Sequence, residues 1–303
     1  MRHPPVSCGG GRFPLTVPRA PGNSAASLPP LVAVAHGSAD PRATATVTAL
    51  LGIARRRAAG AGLPGIDARA AYLGHTPPTL AQALSALGAP AGGGAAPRRH
   101  AVVLPLLLTG AYHATTDIPA LLRDARAALP WLRVAYGSAL GPHPLLLRAL
   151  ERRLAEAVAG PLQPRSTAVV LAAAGSADPQ GRAAVAGTAA RWQAARGWHS
   201  VTPAYASAAP PAPGEAVEAA LRGGARRVVV ATYLLAPGIF ADQIRRDSFA
   251  AGAAAVSAAL GAAPEVADVV LDRYAGALAA GGSWNPGEPR APQVPSRRAA
   301  AAV

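Results

Sequence analysis

Two histidines stand where chemistry is expected in this 303-residue chain. His36 follows the apolar run "LVAVA" (31–35) and opens the loop "HGSADP"; His113 follows a second run, Ala101–Leu107, in "LTGAYHATTDIP". A neutral imidazole binds divalent iron, cobalt, nickel or zinc, and its near-neutral pKa also suits it to accept a proton. In open parallel sheets, ligands bind beyond the carboxyl ends of the strands. If the two runs are neighbouring strands, both imidazoles converge on one crevice. His75, in "YLGHTPP", follows another strand candidate and is a third candidate ligand. The Gly37–Ser38 backbone, just before a helix start, could cradle an anion. His143 in "LGPHPLL" reads as a helix cap or surface residue, and His3, His100 and His199 read as solvated.

The elements that must position these residues alternate along the chain. Strands are predicted at Leu31–Ala35, Asp67–Tyr72, Ala101–Leu107, Arg133–Tyr136, Thr167–Ala173, Val201–Tyr205 and Arg227–Leu234, with an eighth candidate at Glu265–Val266. Helices are predicted at 42–59, 78–87, 116–128, 144–158, 180–195, 214–222, 239–259 and 268–279. The first, third, fifth and seventh strands are continuous apolar runs, as strands covered on both faces should be. Asp40–Pro41 and Asp178–Pro179 read as helix starts, with Asp at the N-cap and Pro in the first turn. Asp117 and Asp242, after the third and seventh strands, also read as helix caps.

The order of segments repeats. "AHGSADP" (35–41) matches "AAGSADP" (173–179), and Tyr72 with its Pro-Pro loop matches Tyr205. "RRHAVVLPLLLTGAYH" matches "ARRVVVATYLLAPGIF", and "SALGPHP" matches "AALGAAP". Four matches in the same order imply an internal duplication. The expected fold is therefore α/β, with two tandem doubly wound parallel-sheet lobes at 31–160 and 165–280. The Pro-, Gly- and Ser-rich segments 1–30 and 281–303 are expected to be disordered extensions. His36 corresponds to Ala174 and His113 to Phe240, so one half keeps both histidines and the other has lost both.

Composition narrows the function class. The chain is basic, with a formal charge of +14, and contains no Lys, so Arg supplies the positive charge. Such a surface favours anionic partners. No aromatic platform or recognition motif accompanies the charge, so no nucleic-acid partner is expected. No apolar run reaches membrane-spanning length, and no membrane partner is expected. The single cysteine, Cys8, permits no internal disulfide and fits a reducing, cytoplasmic setting. No Walker A or dinucleotide fingerprint follows a strand. A histidine phosphatase would need an Arg before its histidine, where this chain has Ala35.

"HGSADPR" (36–42) after a strand, "AYLGHTPPTL" (71–80) and "VVLPLLLTGAYHATTDIP" (102–119) together resemble the sirohydrochlorin chelatase family, the CbiX/SirB-like class II tetrapyrrole chelatases. The likeness runs through both halves and resembles the long, two-lobe form. It implies a lyase that inserts Fe²⁺ or Co²⁺ into sirohydrochlorin without ATP, in siroheme or cobalamin biosynthesis. The divalent metal is then a substrate, and no permanently bound cofactor is expected. The partner implied is the polyanionic tetrapyrrole itself, with the protein a monomer or a weak homo-oligomer. The family's two motif histidines fall on His36 and His113, which would hold the metal and take pyrrole protons. Many members carry a metal-binding Glu where this chain has Gly74, and the neighbouring His75 is the substitute at hand. Substrate contacts are expected from Gly37, Ser38, Gly110, Tyr112 and Arg42, with Arg98, Arg99, Arg245 and Arg246 as further carboxylate-binding candidates. Leu235–Phe240 is expected to wall the opposite side. A non-catalytic metal or tetrapyrrole carrier would use the same histidines.

Overall fold

The computed structural model describes residues 28–74, 76–88, 99–110 and 113–280. His75, Arg98, Tyr112 and nearly all of the two extensions lie outside the described residues. The first sheet is parallel and ordered β2-β1-β3-β4, from β1 (Leu31–Ala35), β2 (Ala68–Tyr72), β3 (Arg99–Pro105) and β4 (Leu132–Tyr136). The second repeats it as β6-β5-β7-β8, from β5 (Thr167–Ala173), β6 (Ser200–Tyr205), β7 (Arg227–Tyr233) and β8 (Ala255–Val256). The helices are α1 (Pro41–Ala58), α2 (Leu80–Ser85), α3 (Ile118–Ala128), α4 (Pro144–Ala157), α5 (Pro179–Arg196), α6 (Pro213–Arg222), α7 (Ile239–Ala250) and α8 (Pro264–Ala279).

Two expectations fail in the second half. Residues 251–259 do not continue α7; Gly252, at φ +92°, ends the helical region, and the short edge strand β8 follows. Glu265–Val266 is not a strand but the first turn of α8, which begins on Pro264. Pro at a helix's first position is favoured, because its missing N–H has no intrahelical partner there.

Strand periodicity sorts the core into layers. Val32, Val34 and Val103 face α2 and α3 in one cluster, and Val170, Val228 and Val230 face α6 and α7 in another. The alternate residues Leu31, Ala33 and Leu104, with Val169, Leu171 and Ala231, belong to one continuous cluster spanning both halves. The helices between the sheets are exchanged. α4 follows the first sheet in the chain yet packs on β7 and β8, and α8 follows the second sheet yet packs on β3, β4 and α1.

Polar contacts fix that exchange. Arg273 of α8 donates to the carbonyls of Ala139, Leu140 and Pro142 at 2.9–3.1 Å. Buried Tyr274 donates its hydroxyl to the Pro29 carbonyl at 2.6 Å. Residues 29 and 30, which composition alone places in the N-terminal extension, are thus tied to the body; the Pro30 carbonyl also accepts from Val102 N. Tyr274→Phe leaves the Pro29 carbonyl without its donor and is expected to cost about 1–2 kcal/mol, measured as a lower midpoint in urea at unchanged slope.

Candidate functional site

β1 and β3 are the central neighbours of the first sheet, and their carboxyl ends form its switch point. Past β1, the chain turns at Gly37, whose φ of +88° is open to glycine. A Cβ there would stand 1.8 Å from the Gly74 carbonyl oxygen. The Ser38 hydroxyl accepts from Asp40 N at 3.0 Å, and Asp40 caps α1 by accepting from Arg42 N at 2.9 Å. The second half builds the same turn: Gly175 at φ +99°, Ser176 accepting from Asp178 N, and Asp178 capping α5. Gly37 and Ser38 therefore serve first as architecture common to both halves. Gly110 is exposed at the other loop, with open space around its Cα.

His36 and His113 meet at this edge. Their ring centroids are 5.0 Å apart at 80°, a separation one ion can bridge with metal–nitrogen bonds of about 2.0–2.1 Å. Among the described residues, no group of three His, Cys, Asp or Glu side chains is placed to hold a metal. His113 opens a π-helical turn, His113–Asp117, that leads into α3, and such turns recur at functional sites. Tyr136, at the end of β4, braces the turn by donating to the Ala114 carbonyl at 2.7 Å.

Asp117 does not cap α3 as its position in the sequence suggests; its carboxylate makes no capping bond and instead meets His113 Nδ1 at 2.5 Å. A carboxylate on Nδ1 fixes the tautomer and leaves Nε2 as the acceptor or ligand. The sequence signal is a His and an Asp four residues apart beside a strand end, but in a regular helix that spacing is usually a surface pair. Asp242 is not a cap either: it lies within the first turn of α7, whose N-cap is Gly238, and pairs with Arg42. His143 does cap α4, accepting from Leu145 N at 3.2 Å, and its Nε2 lies 3.5 Å from Asp272 of α8.

The carboxyl edges of the two sheets face each other. Tyr233, the last residue of β7, donates to the Leu108 carbonyl beyond β3 at 3.2 Å. A Cβ on Gly238 would lie 4.0 Å from Ser38 Oγ, and Arg42 reaches Asp242. Of the expected apolar wall, Leu235 packs into the shared core, whereas Ile239 is 82% exposed and Phe240 43% exposed. A shallow, open depression lies beside the His36 loop, lined by Ser38, Thr44, Thr48 and Thr76 among others.

The arginine candidates separate. Arg99 begins β3 at the opposite edge of the sheet and donates to the Leu87 carbonyl, so it is not near the histidines. Arg245 lies over the Phe249 ring at 5.0 Å, farther along α7. Arg42 is at the site, with its guanidinium engaged by Asp40 and Asp242.

The chain is similar to known proteins in sequence and in fold. The chain is 29% identical over 145 residues to a sirohydrochlorin cobaltochelatase of Priestia megaterium, covering 47% of each chain. It is 28% identical over 148 residues to a sirohydrochlorin ferrochelatase of Bacillus subtilis, covering 49% of this chain and 56% of that one. It thus spans about half the length of the curated relatives it matches. SirB from Bacillus subtilis with Fe³⁺ shares the fold at a TM-score of 0.64 and 24% identity, over 80% of this chain and 92% of that one. A multi-domain protein of Deinococcus radiodurans with structural similarity to chelatases aligns at a TM-score of 0.60 and 23% identity, over 82% of this chain and 55% of that one. The CbiX family model matches residues 30–157 and 168–277, one segment for each half of the duplication. This chain belongs to the CbiX family.

Proposed function

We propose that this protein inserts Fe²⁺ or Co²⁺ into sirohydrochlorin, without ATP, and that its N-terminal lobe (31–160) carries the chemistry. The observation that carries this reading is the pair His36 and His113, 5.0 Å apart at the switch point of the first sheet and absent from the matched positions of the second. A metal passed on to a macrocycle must keep exchangeable coordination positions, and two imidazoles leave them open. The tetrapyrrole lies with one face toward the imidazoles, while Ile239 and Phe240 of the C-terminal lobe (165–280) offer apolar surface at the other side. Gly37, Ser38, Gly110 and Tyr112 border it. As the ion moves to the ring nitrogens, the pyrrole protons leave, and imidazole nitrogen accepts them near neutral pH. His75, beside Gly74, is a third ligand in this scheme. The single cysteine supports work in the reducing cytoplasm. Among the described residues no helix is long and apolar enough to cross a membrane.

Purified protein mixed anaerobically with sirohydrochlorin and Fe²⁺, then Co²⁺, tests the reading. An accelerated shift of the tetrapyrrole absorbance supports it, and a rate equal to the protein-free reaction overturns it. Asp117 is a positioning residue in this scheme. Asp117→Ala is expected to lower cobalt affinity, or the rate of insertion, by about 10–100-fold. Asp117→Asn should retain more, because its amide oxygen can still accept the Nδ1–H bond. Equal cobalt affinity in a calorimetric titration of Asp117→Ala and the parent would show that the carboxylate does not set the ring.

A further inference from the structure

Arg42 stands at the lip of the cleft, where α1 leaves the His36 loop, and two carboxylates share its guanidinium. Asp40, on its own helix, meets Nε at 3.0–3.1 Å and Nη2 at 2.6 Å. Asp242, on α7 of the other half, meets Nη2 at 2.6 Å and Nη1 at 3.4 Å. Hydrogen bonding to Arg42 holds both carboxyls below their ordinary pKa, so both are ionised at neutral pH. Two carboxylates on one guanidinium leave none of Arg42's positive charge free at the edge of a site read as taking a polycarboxylate. A cleft for such a ligand gains nothing from that charge unless one of the carboxylates can leave.

The two partners are not equivalent. Asp40 is mostly covered, at 18% side-chain exposure, and its carboxylate also caps α1. Asp242 is 44% exposed and makes no capping bond. Exposed ion pairs are weak, so exchanging one carboxylate for another on the same guanidinium costs little. Arg246, one turn along α7, already contributes favourable charge to Asp242 and lies at the i,i+4 spacing at which it can receive the released carboxylate. The guanidinium face that Asp242 occupies suits any carboxylate offered in the same plane.

We infer that Asp242 is a stand-in for a substrate carboxylate. Resting on the functional reading above, the geometry points to an exchange in which a carboxylate arm of the tetrapyrrole takes Asp242's place on Arg42 and the cross-cleft pair opens. Asp242 then sets how readily polyanionic ligands enter, and acts as a competitor held within the chain.

Fluorescence titration of sirohydrochlorin with the full chain, without metal, tests this. Asp242→Asn is expected to bind up to about fivefold more tightly than the parent, the upper end of what an exposed ion pair is worth. Arg42→Gln is expected to bind more weakly, and adding Asp242→Asn to it should restore nothing. Equal or weaker binding by Asp242→Asn, while the parent binds, overturns the inference and marks the pair as a strut between the halves. A gain that persists in the Arg42→Gln background also overturns it, because the effect is then general charge. A parent that leaves the fluorescence unchanged overturns the functional reading, and the inference with it.

Discussion

His36→Ala and His113→Ala are each expected to lower the rate of metal insertion by about 10²-fold or more, the range in which a positioned acid–base group contributes. Neither change should unfold the protein. His36 is exposed and His113 is 44% exposed at its side chain, and both stand outside the three core clusters. Substitutions at such positions stay within about 0.5 kcal/mol in stability. Loss of rate at unchanged urea midpoint therefore separates chemistry from folding. The double variant should be little worse than either single one, since groups that act as a unit are strongly non-additive. Sirohydrochlorin binding, followed by fluorescence without metal, should survive in both, because Arg42 and the exposed Ile239 and Phe240 are untouched. Wild-type rates in either variant would remove the histidine pair from the mechanism.

The central part of this site is legible in the sequence because it depends on local features. Continuous apolar runs give β1, β3, β5 and β7, and their alternation with helices gives parallel sheets; that β1 and β3 adjoin is a condition in the sequence and is met in the structure. A histidine just after each of two adjoining strands then has to meet its fellow. The remainder depends on contacts that sequence spacing does not report. α4 and α8 each cover the other half's sheet, whereas an internal repeat suggests that each half covers its own. β8 has only two residues within an Ala-rich segment, and its place is set by pairing with Val229 and Val230, not by its own propensity. Asp117 sits where a capping residue belongs and Asp242 within the first turn of α7, yet each carboxylate is used by a partner outside the helix end. For Asp117 that partner comes within reach through the π-helical turn; for Asp242 it comes from the other half of the chain.

The duplication makes a comparison that no single-lobed protein allows. Gly37 and Gly175 hold the same backbone geometry, with φ of +88° and +99°, and a Cβ would stand 1.8 Å from the Gly74 carbonyl oxygen at the first and 1.9 Å from that of Ser207 at the second. Alanine at either position adds the left-handed penalty of about 1–2 kcal/mol to the cost of pressing on backbone that has little room to yield. Gly37→Ala and Gly175→Ala should each lose about 2–5 kcal/mol by denaturant unfolding. Their effects on catalysis should differ. Gly37 adjoins His36, and the backbone it presses on, Gly74, donates to the His36 carbonyl at 3.2 Å. Relief of that clash therefore moves the imidazole, and a misplacement of about 1 Å can cost about 10²-fold in rate. Ser207 donates at 3.0 Å to the carbonyl of Ala174, which has no imidazole to misplace. Specific activity per folded molecule should thus fall sharply in Gly37→Ala and little in Gly175→Ala at equal loss of stability. Equal losses of activity would mean that the turn after β5 takes part in the reaction, and that the second half does more than face the macrocycle.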